Sequence, residues 1–272
     1  MDWESLADTV NVGVRLLDNV LDVNQYPIKE IEINCQKVRR IGLGIMGLGH
    51  ALVKMGYTYG SEEGNTQVDK MMKFIKERAY EASTFLAVER GPFEAYTEDF
   101  LNSGFVKTLP RRIKQNIREH GVRNCALLTI APTGTTSMVM GTSSGIEPIF
   151  APGYIRRYYD SDNKSNDRIL KEEMVIDPLF KELYESGADM SSFIATSDLS
   201  VRNHMEVQAI CQKHIDNSIS KTINIPNEYD ISDYGDLMLE FGPQLKGITV
   251  YRQGSRGNEP LTPKQLNRLL NL

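Results

Sequence analysis

The chain has 272 residues, enough to bury a sizeable core, and its 40% hydrophobic and 25% charged composition is that of a globular protein, not a disordered one. A formal net charge of −5 supplies no basic field for a nucleic-acid backbone, so nucleic acid is not expected as a partner. Three scattered cysteines without a C-x-x-C pair, no apolar amino-terminal run and no stretch long enough to cross a bilayer lead to the expectation of a cytoplasmic protein with no membrane partner.

In chain order, Asp2 is placed to cap a helix whose apolar positions Leu6, Val10, Leu17 and Leu21 share one face; it should end near Asn24, before Tyr26-Pro27. Val68, Met71, Met72, Ile75, Ala82 and Leu86 predict a second helix, stopped by Gly91-Pro92. The apolar run Cys125 to Ala131, ended by Pro132, has the character of a strand buried on both faces. Helices are expected over about 167–186 and 201–220, then a strand over 221–226, a helix over 231–241, a strand over 247–251 and a polar helix over 263–272. Helices alternating with isolated apolar strands indicate an α/β architecture, without internal repeat or linker.

Gly42-Leu-Gly-Ile-Met-Gly47 spells the dinucleotide fingerprint G-x-G-x-x-G. That motif needs a buried strand before it and a second strand ending in an acidic residue after its helix. Cys35 to Arg40 is too charged for such a strand, and the acids at the right distance, Glu62 and Glu63, sit in TYGSEEGN ahead of a helix. Close packing of backbones is the expected role of these glycines, and a nicotinamide dehydrogenase is a remote third reading. The histidines, His50, His120, His204 and His214, are expected to be surface or packing residues, and the pairs Glu62-Glu63 and Glu172-Glu173 solvated helix ends.

A second stretch carries more chemistry. The strand ending at Pro132 releases Thr133, Gly134, Thr135, Thr136 and Ser137, a run of hydroxyls and successive backbone N–H groups suited to a phosphate without help from a basic side chain. No Gly-Lys-Ser/Thr follows, so it is not a Walker loop. A capped helix start with surface hydroxyls is the alternative.

Several segments together resemble the large catalytic subunit of ribonucleotide reductases: Leu-Leu-Asp-Asn-Val-Leu-Asp-Val-Asn-Gln-Tyr-Pro27, Arg39-Arg-Ile-Gly-Leu-Gly-Ile-Met-Gly-Leu48, Ala131-Pro-Thr-Gly-Thr-Thr-Ser137, Ser144-Gly-Ile-Glu-Pro148, Asp216-Asn-Ser-Ile-Ser-Lys-Thr-Ile-Asn-Ile-Pro226 and Lys246-Gly-Ile-Thr-Val-Tyr-Arg252. They occur in the family's order and cover nearly the whole chain. The resemblance implies an α/β fold, about the second half of a ten-stranded barrel in a single domain over 1–272, and reduction of ribonucleotides to deoxyribonucleotides by radical chemistry. It implies that Thr133, Gly134, Thr135, Thr136 and Ser137 bind substrate phosphates and that Tyr251 stands in the active site. Glu147 matches a family motif, with its role open between catalysis and holding the loop.

Members that import their radical relay it through two adjacent tyrosines, the first aligned with Tyr251, but Arg252 follows here and arginine cannot be oxidised in that role. The chain therefore looks like the adenosylcobalamin-dependent class. The family's radical cysteine lies on an upstream finger loop, Asn-x-Cys-x-Glu, which this chain lacks; Cys35 has the wrong surroundings, and Cys125 and Cys211 form no redox pair. The expected partners are an amino-terminal reductase chain carrying that loop, a ribonucleotide and a thiol reductant such as a thioredoxin. A non-catalytic nucleotide-phosphate-binding remnant that docks on a full-length reductase is the alternative.

Overall fold

Helix α1 (Trp3–Val23) begins where its sequence requires: the Asp2 carboxylate accepts from the Ser5 N–H at 3.0 Å, and Val10, Val14 and Asp18 are buried along one face. In the computed structural model residues 1–159, 170–255 and 261–263 are described. After α1 come α2 (Lys29–Val38), α3 (Leu48–Lys54), α4 (Glu62–Arg90), α5 (Gly104–Lys107), α6 (Arg111–His120) and α7 (Gly134–Val139). The chain continues through β1 (Gly153–Tyr159), β2 (Leu170–Ile176), α8 (Pro178–Ser186), α9 (Val201–Gln212), β3 (Thr222–Ile225), α10 (Ile231–Phe241), β4 (Thr249–Arg252) and β5 (Leu261–Pro263).

A ladder of short parallel segments organises these elements. The Ile41 and Leu43 N–H groups donate to the Ala126 and Leu127 carbonyls at 3.0 and 2.8 Å, and the Thr129 N–H returns a bond to Leu43 at 2.9 Å. On the other side of that segment, Ile130 bridges to Ile219 in parallel and the Ser220 N–H donates to Ile130 at 2.8 Å. The same stretch continues into β3, which pairs in parallel with β4, Asn224 opposite Tyr251. The order across the ladder is thus 41–43, 126–130, 217–225 and 249–252. Among the described residues this ladder is open at β4 and forms no closed barrel.

Two adjacent polar residues staple the ladder. The Asp216 carboxylate accepts from the Leu127 and Leu128 N–H groups and from the Tyr80 hydroxyl, each at 2.8 Å. The Asn217 amide donates to Leu128 at 2.8 Å and to Ile41 at 3.3 Å, so three neighbouring segments share one anchor. Helices α1, α4, α6 and α9 supply a common core with Val14, Val68, Met72, Ala79, Tyr80, Ile117, Leu127, Leu128, Ile130 and Val207. Each such large apolar side chain contributes about 2 kcal/mol through burial. A separate antiparallel sheet of order β2-β1-β5 stands outside the ladder.

Several expectations are corrected. Residues 170–176 form β2 instead of the first part of a helix, and only Pro178–Ser186 is helical. The charged run Lys171-Glu172-Glu173 resembles a helix surface, but Glu172 and Glu173 stand opposite Arg157 and Arg156 of β1, and the Arg157 to Glu172 ion pair at 2.6 Å favours the sheet. Those glutamates are therefore strand residues, not a helix end. Glu62 and Glu63 do begin a helix, α4, capped by the Ser61 hydroxyl. Helix α9 ends at Gln212, not near Ser220, because the Gln212 amide donates to the Ile215 and Asn217 carbonyls and turns the chain so that Asp216 reaches the ladder. The expected helix over 263–272 lies outside the described residues apart from Pro263, which ends β5.

Candidate active site

The segment 126–130 leaves the ladder at Ala131-Pro132 and turns immediately into α7. Thr133 makes that turn in the left-handed region, φ 49° and ψ 21°, a conformation that a β-branched residue adopts only when its surroundings hold it. Its carbonyl accepts from the Ser137 N–H and its Oγ1 from the Gly145 N–H, both at 2.8 Å. Ser137 is buried and its hydroxyl shares a hydrogen bond with Ser144 Oγ at 2.9 Å. Gly134, Thr135 and Thr136 are exposed. The five predicted residues thus share one turn but divide the work: Thr133 and Ser137 fasten it from behind, while Gly134, Thr135 and Thr136 face outward with first-turn N–H groups that helix geometry leaves without intrahelical acceptors.

The glycine motif upstream is filled by protein. A Cβ on Gly44 would lie 2.4 Å from the Thr129 carbonyl oxygen, one on Gly42 2.8 Å from Thr129 Cγ2, and one on Gly47 2.5 Å from Thr142 Oγ1. Ile41 to Leu43 do join the ladder and α3 does follow, so, contrary to expectation, part of the strand-turn-helix context exists, carried by Ile41 to Leu43 and not by the charged Cys35 to Arg40. The acidic second strand is replaced by α4, and the close contacts give the glycines the packing role expected of them.

Tyr251 is half-buried on β4, at the ladder position next but one to the segment that carries the turn. Burial pushes the Cys211 thiol up to about 12 and raises that of Cys125, so neither is an activated thiolate; all three cysteines are free. Among the described residues no group of three or more His, Cys, Asp or Glu side chains could hold a metal. No helix among them is long and apolar enough to cross a membrane.

Sequence reasoning missed a buried polar cluster beside the turn. Lys221, with 1% of its surface exposed, donates to Glu147 Oε2 at 2.8 Å, to His204 Nδ1 at 3.0 Å and to the Thr222 carbonyl at 3.1 Å. Glu147 accepts from the Thr222 N–H through its other oxygen at 2.6 Å, so both of its carboxylate oxygens are bonded to the start of β3. Burial, and then the Lys221 charge, lower His204 to about 3, so the imidazole is neutral and accepts from the ammonium. Burial lowers the Lys221 ammonium as well, and Glu147 partly offsets this. No short-range pattern could have found the cluster, because 147, 204 and 221 meet only through the fold. The other histidines are structural or exposed: His50 pairs with Asp177 at 2.9 Å, His214 with Asp69 at 3.0 Å, and His120 is at the surface.

A family model of the ribonucleotide reductase barrel domain matches residues 1–251. The chain belongs to that family. It is 34% identical to the vitamin B12-dependent ribonucleoside-diphosphate reductase of Mycobacterium tuberculosis (strain CDC 1551 / Oshkosh) over 98% of this chain and 39% of that protein. A protein of the same description from Thermoplasma acidophilum is 32% identical over 96% of this chain and 34% of its own length. The ribonucleoside-diphosphate reductase subunit alpha of Chlamydia muridarum is 34% identical over 70% of this chain and 20% of its own length. The chain thus spans less than two fifths of the curated relatives it matches. In this reductase barrel chain the motifs that carry the resemblance fall on the ladder and its turns: Gly42 to Gly47 at the first segment, Pro132 to Ser137 at the exit of the second, Asp216 to Pro226 along the third and Tyr251 on the fourth.

Proposed function

We propose that this chain is the carboxy-terminal part of a ribonucleotide reductase barrel, reducing ribonucleotides to deoxyribonucleotides when assembled with a partner chain that carries the radical cysteine on its Asn-x-Cys-x-Glu finger loop. The observation that carries this reading is the position of Thr133 to Ser137 at the carboxyl end of a parallel ladder segment, where α/β proteins bind ligands. There the outward N–H groups of Gly134, Thr135 and Thr136 and the two threonine hydroxyls hold the substrate's phosphates, and Tyr251 faces the ribose region. Replacing a ribose C–OH by C–H consumes two electrons, which thiols supply as they join in a disulfide. Cys35, Cys125 and Cys211 occur singly and two are suppressed as thiolates, so the radical and the reducing thiols come from the partner and from a thiol reductant such as a thioredoxin.

Two relatives are named as vitamin B12-dependent, and the replacement of a second tyrosine by Arg252 agrees with a radical made on adenosylcobalamin. One concavity of about 330 Å³ is lined by Trp3 and Phe74 with Lys70, Lys73 and Glu77, and another of about 450 Å³ mostly by charged and small polar residues such as Glu62, Asn65, Asp69 and Glu206; neither offers the extended apolar bed of a corrin ring. Neither concavity is assigned to the cofactor, which is expected in the assembled enzyme. The test is to mix the purified chain with its partner, CDP, adenosylcobalamin and a dithiol and to measure dCDP. Product that needs both chains supports the reading; its absence from the complete mixture overturns it.

A further inference from the structure

All three ammonium protons of the enclosed Lys221 have acceptors, and both carboxylate oxygens of Glu147 have donors. The pair joins the start of β3 to the loop 143–148. That loop is also held from the opposite side, where the Tyr59 hydroxyl donates to Ile146 at 2.6 Å and the Leu48 N–H to Gly145 at 3.3 Å. From the loop, the Gly145 N–H reaches Thr133 Oγ1 and Ser144 Oγ reaches Ser137 Oγ. A continuous path of bonds therefore runs from the ion pair to the two residues that fasten the phosphate turn. A buried ion pair adds little net stability compared with apolar packing, but its directional bonds fix the register of the segments it joins.

We propose that Lys221 and Glu147 are positioning residues for the turn: they seat Ser144 and Gly145, which hold Thr133 left-handed and Ser137 buried, so that the N–H groups of Gly134 to Thr136 are aimed before a ligand arrives. This rests on the reading of Thr133 to Ser137 as a phosphate site. Preorganisation of this kind acts on phosphate affinity and leaves contacts to the nucleoside untouched.

The test compares CDP with cytidine on the full chain by calorimetry, for the wild type, Lys221→Met and Glu147→Gln, with thermal unfolding of each as a check on folding. Lys221→Met is expected to lower CDP affinity about tenfold while cytidine affinity holds, and Glu147→Gln, which keeps one acceptor, to lower it about threefold. If Lys221→Met does not fold, Glu147→Gln carries the comparison. A CDP preference that survives in folded variants overturns the proposal, as does an equal loss for CDP and cytidine, which a merely structural role would produce. If the wild type itself shows no preference for CDP, the phosphate reading has failed. Amide exchange in the ligand-free chain then decides the positioning alone: faster exchange at Ser137 and Gly145 in the variants, with Leu43 and Thr129 unchanged, supports it, and no change overturns it.

Discussion

At Gly44 a single methyl group would meet backbone, 2.4 Å from the Thr129 carbonyl oxygen, with no flexible atom to yield. Gly42 faces the Thr129 side chain, which can rotate at the expense of its bond to the Ser218 carbonyl. Gly44→Ala should therefore cost about 3 kcal/mol and Gly42→Ala about 1 kcal/mol, read from urea midpoints; the reverse order would contradict the packing role. Asp18 presents a different kind of constraint. It is fully buried and accepts from Arg39 Nε at 2.9 Å and Asn124 Nδ2 at 3.0 Å, with Arg90 and Arg123 at 3.4 Å. Burial acts to raise its carboxyl, but Arg39, Asn124 and Arg123 outweigh that and hold it below the ordinary value. Its stabilisation is thus present above the ordinary carboxylate range and lost as pH falls through the lower folded-state value. Asp18→Asn should cost about 3 kcal/mol at neutral pH and show a shallower further loss on acidification, measured by denaturant unfolding across pH.

Among the elements, α7 shows how a six-residue helix can be placed without a side-chain cap. Its entry depends on the left-handed Thr133 and on one bond from the Gly145 N–H. Thr133→Val keeps the shape but leaves that N–H without its acceptor, for an expected cost of about 2 kcal/mol. Thr133→Gly loses the same bond but removes the backbone strain, so its stability should stay within about 1 kcal/mol of wild type. A larger loss for the glycine variant, in thermal or denaturant unfolding, would show that Thr133 is not strained. The strings PTGTTS and SGIEP were legible as separate motifs. That Ser144 and Gly145 of one hold Thr133 and Ser137 of the other was not, because the bonds that join them run through the hydroxyls and backbone of a fold-dependent turn.

At the scale of the molecule, two histidines whose burial disfavours charging set an acid limit on stability. His204 is lowered to about 3 by burial and by Lys221, and His214 is lowered chiefly by burial. Below an ordinary histidine value of about 6.5 the unfolded chain takes up protons that the folded chain refuses. For His204, stability should therefore fall as pH drops from about 6.5 towards about 3, by up to about 1.4 kcal/mol per pH unit, and His214 contributes in the same direction. His204→Gln, which can still accept from Lys221, should flatten the slope between pH 6 and about 4 when unfolding is followed across pH. An unchanged slope would show that His204 is charged in the folded chain.

The α/β character, the capped first helix, the buried apolar segment 126–130 that bridges its neighbours at Leu128 and Ile130, the turn after it and the reductase motifs were all determined by local sequence, because each rests on spacing, capping or turn chemistry within a dozen residues. The tertiary structure decided which competing local preferences won. Cross-strand partners in β1 drew 170–176 out of a helix, and the Asp216 anchor on the ladder ended α9 early. It also decided what the motifs do together: Lys221, Glu147 and His204 are far apart in the chain and become one buried cluster behind the turn only when the ladder brings their segments side by side. Hydrogen bonds and burial of that range depend on three-dimensional proximity, which no periodicity in the sequence encodes.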